Sequence, residues 1–404
     1  MEIPLYFRCP ISMELMKEPV TISTGVTYER KNIEKWFYSY KKKTCPATMQ
    51  LLDTFDLTPN HTLKRLILSW QDHDSPSSSS PPKTIDHDEF IGLLRTIESA
   101  PFKVSSLKKL RSIIEEDDEF SANFVKLGGI EVLSGVIFQV LIESSDFVMF
   151  RACEEAVGIL YHLPLSDKAL IQLVSKPECI RSMAIMLQRG SAEARLYSVT
   201  ILQKMAKIEG DWSWAASDLD MDIFKSLLEL LSDEICTNAS SCALDVLIEI
   251  SSSSRKNRLK AIEAGAVCVL IDLLPDTNRS KCEKMLLLIK LLCECPEGRS
   301  AFADHGLAIA ATSKKILRVS ESATKLGVKI LWLICSFLPR ERILEEMLMF
   351  GAVKKLLGLL HINGRSSTKE KAMKIIKLHG NSWRQYPCFP CELRDYLRLV
   401  PDSL

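Results

Sequence analysis

The sequence carries almost no net charge: 52 basic and 51 acidic side chains leave +1 over 404 residues. No global field therefore draws the chain to nucleic acid or to an anionic membrane. Long apolar runs are missing too. The stretches Leu286–Leu292 and Val328–Leu338 are interrupted by lysine, and both fall short of the roughly 20 residues that span a bilayer. Met1–Pro10 has neither a basic n-region nor an apolar h-region, so a soluble intracellular protein is expected, cytoplasmic first, with nuclear or membrane-peripheral placement left open. Nor is there a disulfide framework. The 13 cysteines are odd in number and thinly spread, as expected of small buried hydrophobes in a reducing compartment. Cys388 and Cys391 form the single C-x-x-C; without a second pair nearby, a reduced structural role is expected rather than zinc. Walker loop, dinucleotide glycine pattern, nucleophile elbow and H-E-x-x-H are all absent. A small-molecule enzyme is therefore disfavoured, and no cofactor is expected.

What is present is enough apolar residue, 47%, for a large core, and enough length for two or three domains or one elongated array. Serine and proline in Asp72–Lys83, DHDSPSSSSPPK, leave nothing to bury and mark a linker. The expected division is a small domain over residues 1–72, a linker over 73–84 and a helical array over 85–404. In the small domain, Pro19–Thr24 alternates with Val20 and Ile22 on one side, Gly25 offers a turn, and Val26–Tyr28 returns as a hairpin. Ile33, Trp36, Phe37 and Tyr40 then form an amphipathic helical stripe. A loop over Thr44–Pro59 follows. Leu63, Leu66, Ile67 and Trp70 repeat the stripe after Pro59 and Asn60 as start signals. Ile33, Phe37, Leu63 and Leu66 are expected in the core.

From Thr84 onward only helical patterning is visible, and one phrase recurs: two residues that are often small, an aliphatic or alanine, then an apolar run. It reads Gly128-Gly129-Ile130, Glu178-Cys179-Ile180, Met221-Asp222-Ile223, Gly265-Ala266-Val267, Gly306-Leu307-Ala308 and Gly351-Ala352-Val353, at intervals of 50, 43, 44, 41 and 45 residues. All-helical repeats of roughly 40–47 residues are the signature of HEAT or armadillo stacks. One such unit cannot cover its own apolar face, so neighbours must stack. Val267, Leu270, Ile271 and Leu274, and likewise Val353, Leu356, Leu357 and Leu360, fall at helical spacing as seams. Each buried leucine there contributes roughly 1.5–3 kcal/mol. The segment from Trp383 to Leu404, with Pro387, Pro390 and several aromatics, departs from the phrase and is expected to cap the array.

The opening residues carry a more specific signal. Phe7-Arg8-Cys9-Pro10-Ile11-Ser12-Met13-Glu14-Leu15-Met16-Lys17-Glu18-Pro19-Val20, Gly25-Val26-Thr27-Tyr28-Glu29-Arg30, Ile33-Glu34-Lys35-Trp36, Cys45-Pro46 and Leu57-Thr58-Pro59-Asn60 together resemble a U-box from Ile3 to Gln71. With the repeats, the chain resembles the compact plant U-box ubiquitin ligases. The resemblance implies a small α+β fold, RING-like but zinc-free, followed by an all-α armadillo-like superhelical solenoid. Up to Gln71 only Cys9, Cys45 and His61 offer a thiol or imidazole, too few for the two tetrahedral zinc sites of a RING. Glu14, Glu29, Arg30, Asp53 and Asn60 are the candidates for polar ties, and several of them are expected to pair across the two loops. Cys9, Pro10, Pro19, Gly25, Tyr28, Arg30, Cys45, Pro59 and Asn60 are implied as structural positions.

By the same resemblance, Ile11, Met13, Trp36 and Pro46 dock a ubiquitin-charged conjugating enzyme, as a small exposed cluster of hot-spot residues. The implied partners are that enzyme, ubiquitin and a protein substrate held by the repeats, with no nucleic acid and no transmembrane segment; self-association through the U-box is left open. Transfer is expected to be non-covalent and driven by proximity. A thioester on Cys9 would need a base, and no histidine lies near it in sequence. Many family members carry Arg or Lys three residues after the second-loop proline, whereas this chain has Met49, which donates no hydrogen bond. The alternatives are a non-catalytic repeat scaffold with a weakened U-box, and an import-type adaptor for basic peptides. Relatives of this kind lead to an expectation of stress or defence signalling.

Overall fold

The computed structural model describes residues 4–72, 103–142, 147–174, 176–207, 221–233, 236–362, 366–386 and 389. The linker at 73–84, the Cys388/Cys391 pair and most of the expected terminal cap lie outside them. Contacts divide the chain into two units, Met1–Val246 and Leu247–Leu404.

The first unit opens with a three-stranded antiparallel sheet in the order β2-β1-β3: β1 is Pro19–Thr21, β2 Thr27–Glu29 and β3 Thr58–Pro59. Val20 faces Tyr28 on one side and Pro59 on the other, and the alternation seen in sequence buries Val20, Ile22 and Tyr28. α1 (Arg30–Glu34) runs on into a single π-turn, Lys35–Ser39. That turn closes with the Tyr40 amide on the Lys35 carbonyl, one residue more than an α-turn takes up. The extra residue rotates Tyr40 off the stripe: Ile33, Trp36 and Phe37 are buried and Tyr40 is half-exposed. In α2 (His61–Asp72) the structure corrects one expectation. Leu66 is 54% exposed while Ile67 is buried. A core this small touches only the narrow face formed by Leu63, Ile67 and Trp70, and Leu66 lies beyond its edge.

Helices follow in chain order: α3 (Lys103–Glu116), α4 (Asp118–Lys126), α5 (Gly129–Phe138), α6 (Phe147–His162), α7 (Asp167–Val174), α8 (Pro177–Arg189), α9 (Ala192–Ala206), α10 (Met221–Ser232) and α11 (Thr237–Ser253), through which the division between units runs. α5 packs on α8 and α8 on α10, while α3, α6 and α9 form a second row. Each recurrent phrase therefore opens the second helix of a repeat.

The second unit continues with α12 (Arg255–Glu263), α13 (Ala266–Leu273), α14 (Arg279–Leu292), α15 (Pro296–Asp304), α16 (Ala308–Lys315), α17 (Glu321–Phe337), α18 (Glu341–Met349), α19 (Ala352–His361) and α20 (Ser367–Arg384). The same two rows recur there, α13–α16–α19 and α14–α17–α20. Gly128, Gly265 and Gly351 all sit at positive φ, 87°, 90° and 73°. A side chain is strained in that conformation, which explains the glycine in three copies of the phrase. The seam residues Val267, Leu270, Ile271 and Leu274 are all buried. In the copy at Val353 the seam uses Leu359, with Leu360 only half-buried. No strand occurs among the described residues after β3, and no single described helix is long and apolar enough to cross a membrane.

Candidate functional site

Two loops built alike flank α1. In the first, the Cys9 amide donates to the Glu14 carbonyl and the Met13 amide to the Cys9 carbonyl, both at 2.8 Å. In the second, Cys45 donates to Gln50 and Met49 to Cys45, again at 2.8 Å. Met13 and Met49 share left-handed backbone, with φ 59° and 57°. The sequence signal for this pairing is Cys-Pro-x-x-Met, present at both places but visible only when the two loops are set side by side.

Both cysteines are fully buried and serve as hydrogen-bond acceptors. Cys9 Sγ takes the Glu29 amide at 3.2 Å and Asn32 Nδ2 at 3.5 Å. Cys45 Sγ lies 3.0 Å from Tyr28 Oη and accepts from Thr24 Oγ1 at 3.4 Å. Because Tyr28 Oη already accepts the Ala47 amide at 3.0 Å, its own hydrogen points to Cys45. Burial alone would raise the Cys45 thiol, but the bonds from Thr24, Thr48 and Tyr28 outweigh it and hold that thiol below its ordinary value. Burial in turn pushes the Tyr28 phenol well up, with the bond to Cys45 adding to it. Tyr28→Phe removes the hydroxyl from this chain and leaves the Ala47 amide without its acceptor. It should cost about 1–3 kcal/mol, read as a lower midpoint in urea denaturation, whereas Tyr38→Phe, at an exposed tyrosine, should leave the midpoint unchanged.

The expected ties across the loops need correction. Glu14 is exposed and accepts from Thr237 at 3.5 Å rather than from the second loop. Asp53 is exposed and bonds neither loop among the described residues. Arg30 pairs at the surface with Glu34 at 3.4 Å and Glu18 at 3.9 Å. The loops are tied instead to the hairpin between them. Glu29 accepts the amides of Lys17 and Glu18 at 2.7 and 2.9 Å to hold the first loop, and Tyr28 and Thr24 hold the second. Asn60 donates to Thr21 and Thr27 at 3.3 Å and accepts the Leu63 amide at 2.9 Å, so it both braces the sheet and starts α2. The amide of Asn60 donates to the Pro19 carbonyl at 2.8 Å. Pro10 is half-buried, Pro59 is exposed on β3, and Gly25 turns the hairpin at φ 80°.

Ile11 from the first loop, Trp36 from the helical segment, and Pro46 and Met49 from the second loop all line one cavity of about 310 Å³. Trp36 Nε1 donates to the Thr44 carbonyl at 2.7 Å, fixing the helix to the second loop. Met13 is half-buried and lies outside this lining. The residues come together as expected, but not as an exposed patch: Ile11 is 1% and Trp36 8% exposed. The facing wall is supplied by repeat residues, among them Gln188, Arg195, Glu229, Leu230 and Asp233. Sequence reading gave no sign of that roof.

Beside it, Pro10 and Ala47 line a second, smaller cavity with Arg111, Glu155, Glu193 and Tyr197 of the α3–α6–α9 row. Arg111 bonds Glu193 at 2.5 Å, Glu115 at 2.8 Å and Glu155 at 3.5 Å, joining α3, α6 and α9. Burial by itself opposes charge on Glu193, yet the Arg111 guanidinium holds its carboxyl below the usual range.

Comparison with known proteins accords with this architecture. A model of the U-box domain matches residues 3–75, and a model of the plant U-box protein ARM repeat region matches residues 89–396. The chain is 36% identical to the E3 ubiquitin-protein ligase PUB23 of Arabidopsis thaliana over 96% of this chain and 95% of that one. It is 34% identical to the E3 ubiquitin-protein ligase PUB22 of the same plant over 98% of each, and 32% identical to its U-box domain-containing protein 25 over 96% of this chain and 94% of that one. The chain belongs to the plant U-box E3 ubiquitin ligases that carry an armadillo repeat region.

Proposed function

We propose that Ile11, Trp36 and Pro46, with Met13 at their edge, dock a ubiquitin-charged conjugating enzyme, and that the repeats hold the protein that receives ubiquitin. The observation that carries this reading is the convergence of Ile11, Trp36 and Pro46, from two loops and the helix between them, on a single cavity wall. An aliphatic, an aromatic and a proline held by a hydrogen-bonded frame make a pre-shaped apolar anchor point, the composition from which interface hot spots are built. Covalent relay finds no support in the small domain, because Cys9 and Cys45 are both wholly buried and their sulfurs are engaged as acceptors. Transfer is then a matter of proximity and orientation around the thioester. The test is discharge of ubiquitin from a panel of charged conjugating enzymes to free lysine with the full chain present. Acceleration with at least one enzyme is expected, and none with any enzyme would leave a repeat scaffold as the better reading.

Met49 is 46% exposed on the same wall and can only pack. It therefore supplies none of the hydrogen bonds an arginine would offer to enzyme and ubiquitin together. Met49→Arg should speed discharge several-fold at saturating conjugating enzyme; an unchanged rate would show that other donors already serve.

A further inference from the structure

Across the 310 Å³ cavity, the wall formed by Ile11, Trp36 and Pro46 faces Arg195, Leu230 and Asp233 of the repeats. Around its rim the two parts are bonded. Tyr40 Oη donates to the Asp233 carbonyl, Cys236 Sγ to the Ser12 carbonyl at 3.7 Å and Thr237 Oγ1 to Glu14 at 3.5 Å. Both terminal nitrogens of Arg151 reach the Ala47 carbonyl at 3.4 Å. All of these partners lie within the first unit.

A conjugating enzyme cannot reach Ile11 or Trp36 while Leu230 and Asp233 stand opposite them. On the docking reading above, we propose that the repeats of the first unit hold the U-box in a closed, self-inhibited arrangement, which must open before a conjugating enzyme docks. The construction of the contact suits a latch rather than a permanent joint. Its centre is a cavity of about 310 Å³ between the two walls rather than interlocked side chains, whereas obligate interfaces pack as densely as protein interiors. Most of its rim bonds are long, near the outer limit of useful geometry. Such a contact would be negligible between separate molecules, but tethering in one chain supplies an effective concentration on the order of millimolar. The closed form then dominates by a modest factor that a few contacts control.

Two exposed repeat residues give access to that factor. Thr237 is the first residue of α11 and faces Glu14. A glutamate there suits the helix N-terminus while repelling Glu14. Glu229 is exposed and lines the cavity opposite Lys42, so a lysine there repels across the gap. In the full chain, the double variant Thr237→Glu/Glu229→Lys should discharge charged conjugating enzyme about five- to tenfold faster than the native chain. Alkylation of Cys236, followed residue by residue by mass spectrometry, should accelerate by a similar factor, with an unchanged far-UV spectrum. Thr237→Lys, which attracts Glu14, should slow both. If Ile11→Ala stops discharge while the double variant labels and discharges like the native chain, docking stands and the closed state is overturned. If discharge in the double variant is insensitive to Ile11→Ala, the docking reading fails and the proposal falls with it.

Discussion

Ile11→Ala should slow ubiquitin discharge by the folded full chain about thirtyfold, the consequence of losing one hot-spot side chain worth about 2 kcal/mol of docking. The difficulty lies in the burial of Ile11, which belongs to the same small core as Cys9, Tyr28 and Ile33. Truncating any buried isoleucine also costs roughly 2–5 kcal/mol of stability, and a half-unfolded domain would look inactive for a trivial reason. Ile33 provides the control. It is as buried as Ile11 but does not line the cavity. Rates normalised to folded protein, from circular dichroism at the assay temperature, should therefore drop for Ile11→Ala and hold for Ile33→Ala. Equal behaviour of the two would assign Ile11 to the core alone. Trp36 is a poorer probe, because its indole also carries the bond to Thr44 that positions the second loop, and its loss would confound docking with loop disorder.

What could be read in advance follows from where the physics is local. A helix that starts after a residue at positive φ leaves a glycine behind, so Gly128, Gly265 and Gly351 mark the repeat spacing in the sequence itself. Alternation over Val20, Ile22 and Tyr28 likewise announced the hairpin, since one sheet face had to be buried. The π-turn after α1 leaves no such mark: an added residue in a turn changes which side chain faces inward without changing composition, so Tyr40 fits the helical stripe in sequence yet leaves it in the structure. Leu66 was misjudged because a periodic stripe says which way a helix faces, not how wide a core it meets. The ties within the U-box were misjudged for a third reason. Glu29 and Asn60 do carry bonds, but Tyr28, Thr24 and two sulfurs share the task, and as neutral groups they look like ordinary core residues in a sequence. Contacts such as Tyr40 with Asp233 and Arg151 with Ala47 join positions far apart by backbone carbonyls, which every residue possesses, so the roof over the groove had no signature at all.

Trp383→Ala should produce the largest loss of stability in the second unit. Trp383 is fully buried near the end of α20, its Nε1 donates to the Leu344 carbonyl at 3.0 Å, and its ring lies 5.9 Å from that of His379. His379 is itself buried and bonds the Cys335 carbonyl at 2.9 Å, so α20 is fastened to both α17 and α18 by ring nitrogens pointing inward. Alanine removes the apolar area and the bond together, about 3–5 kcal/mol for the cavity and about 1 kcal/mol for the hydrogen bond. Trp383→Phe keeps much of the volume and should cost only about 1–2 kcal/mol. In a stack of repeats each unit is stabilised by its neighbours, and among the described residues α20 packs chiefly on α17, α18 and α19, so damage there is felt most locally. Amide hydrogen exchange in α18–α20 should therefore quicken by on the order of 10³ in the alanine variant, with a much smaller change in α12–α14. Discharge of conjugating enzyme by the U-box, which draws on none of these residues, should persist. Uniform acceleration of exchange across the second unit would mean that its repeats unfold as one block, and that Trp383 supports the whole block rather than its end.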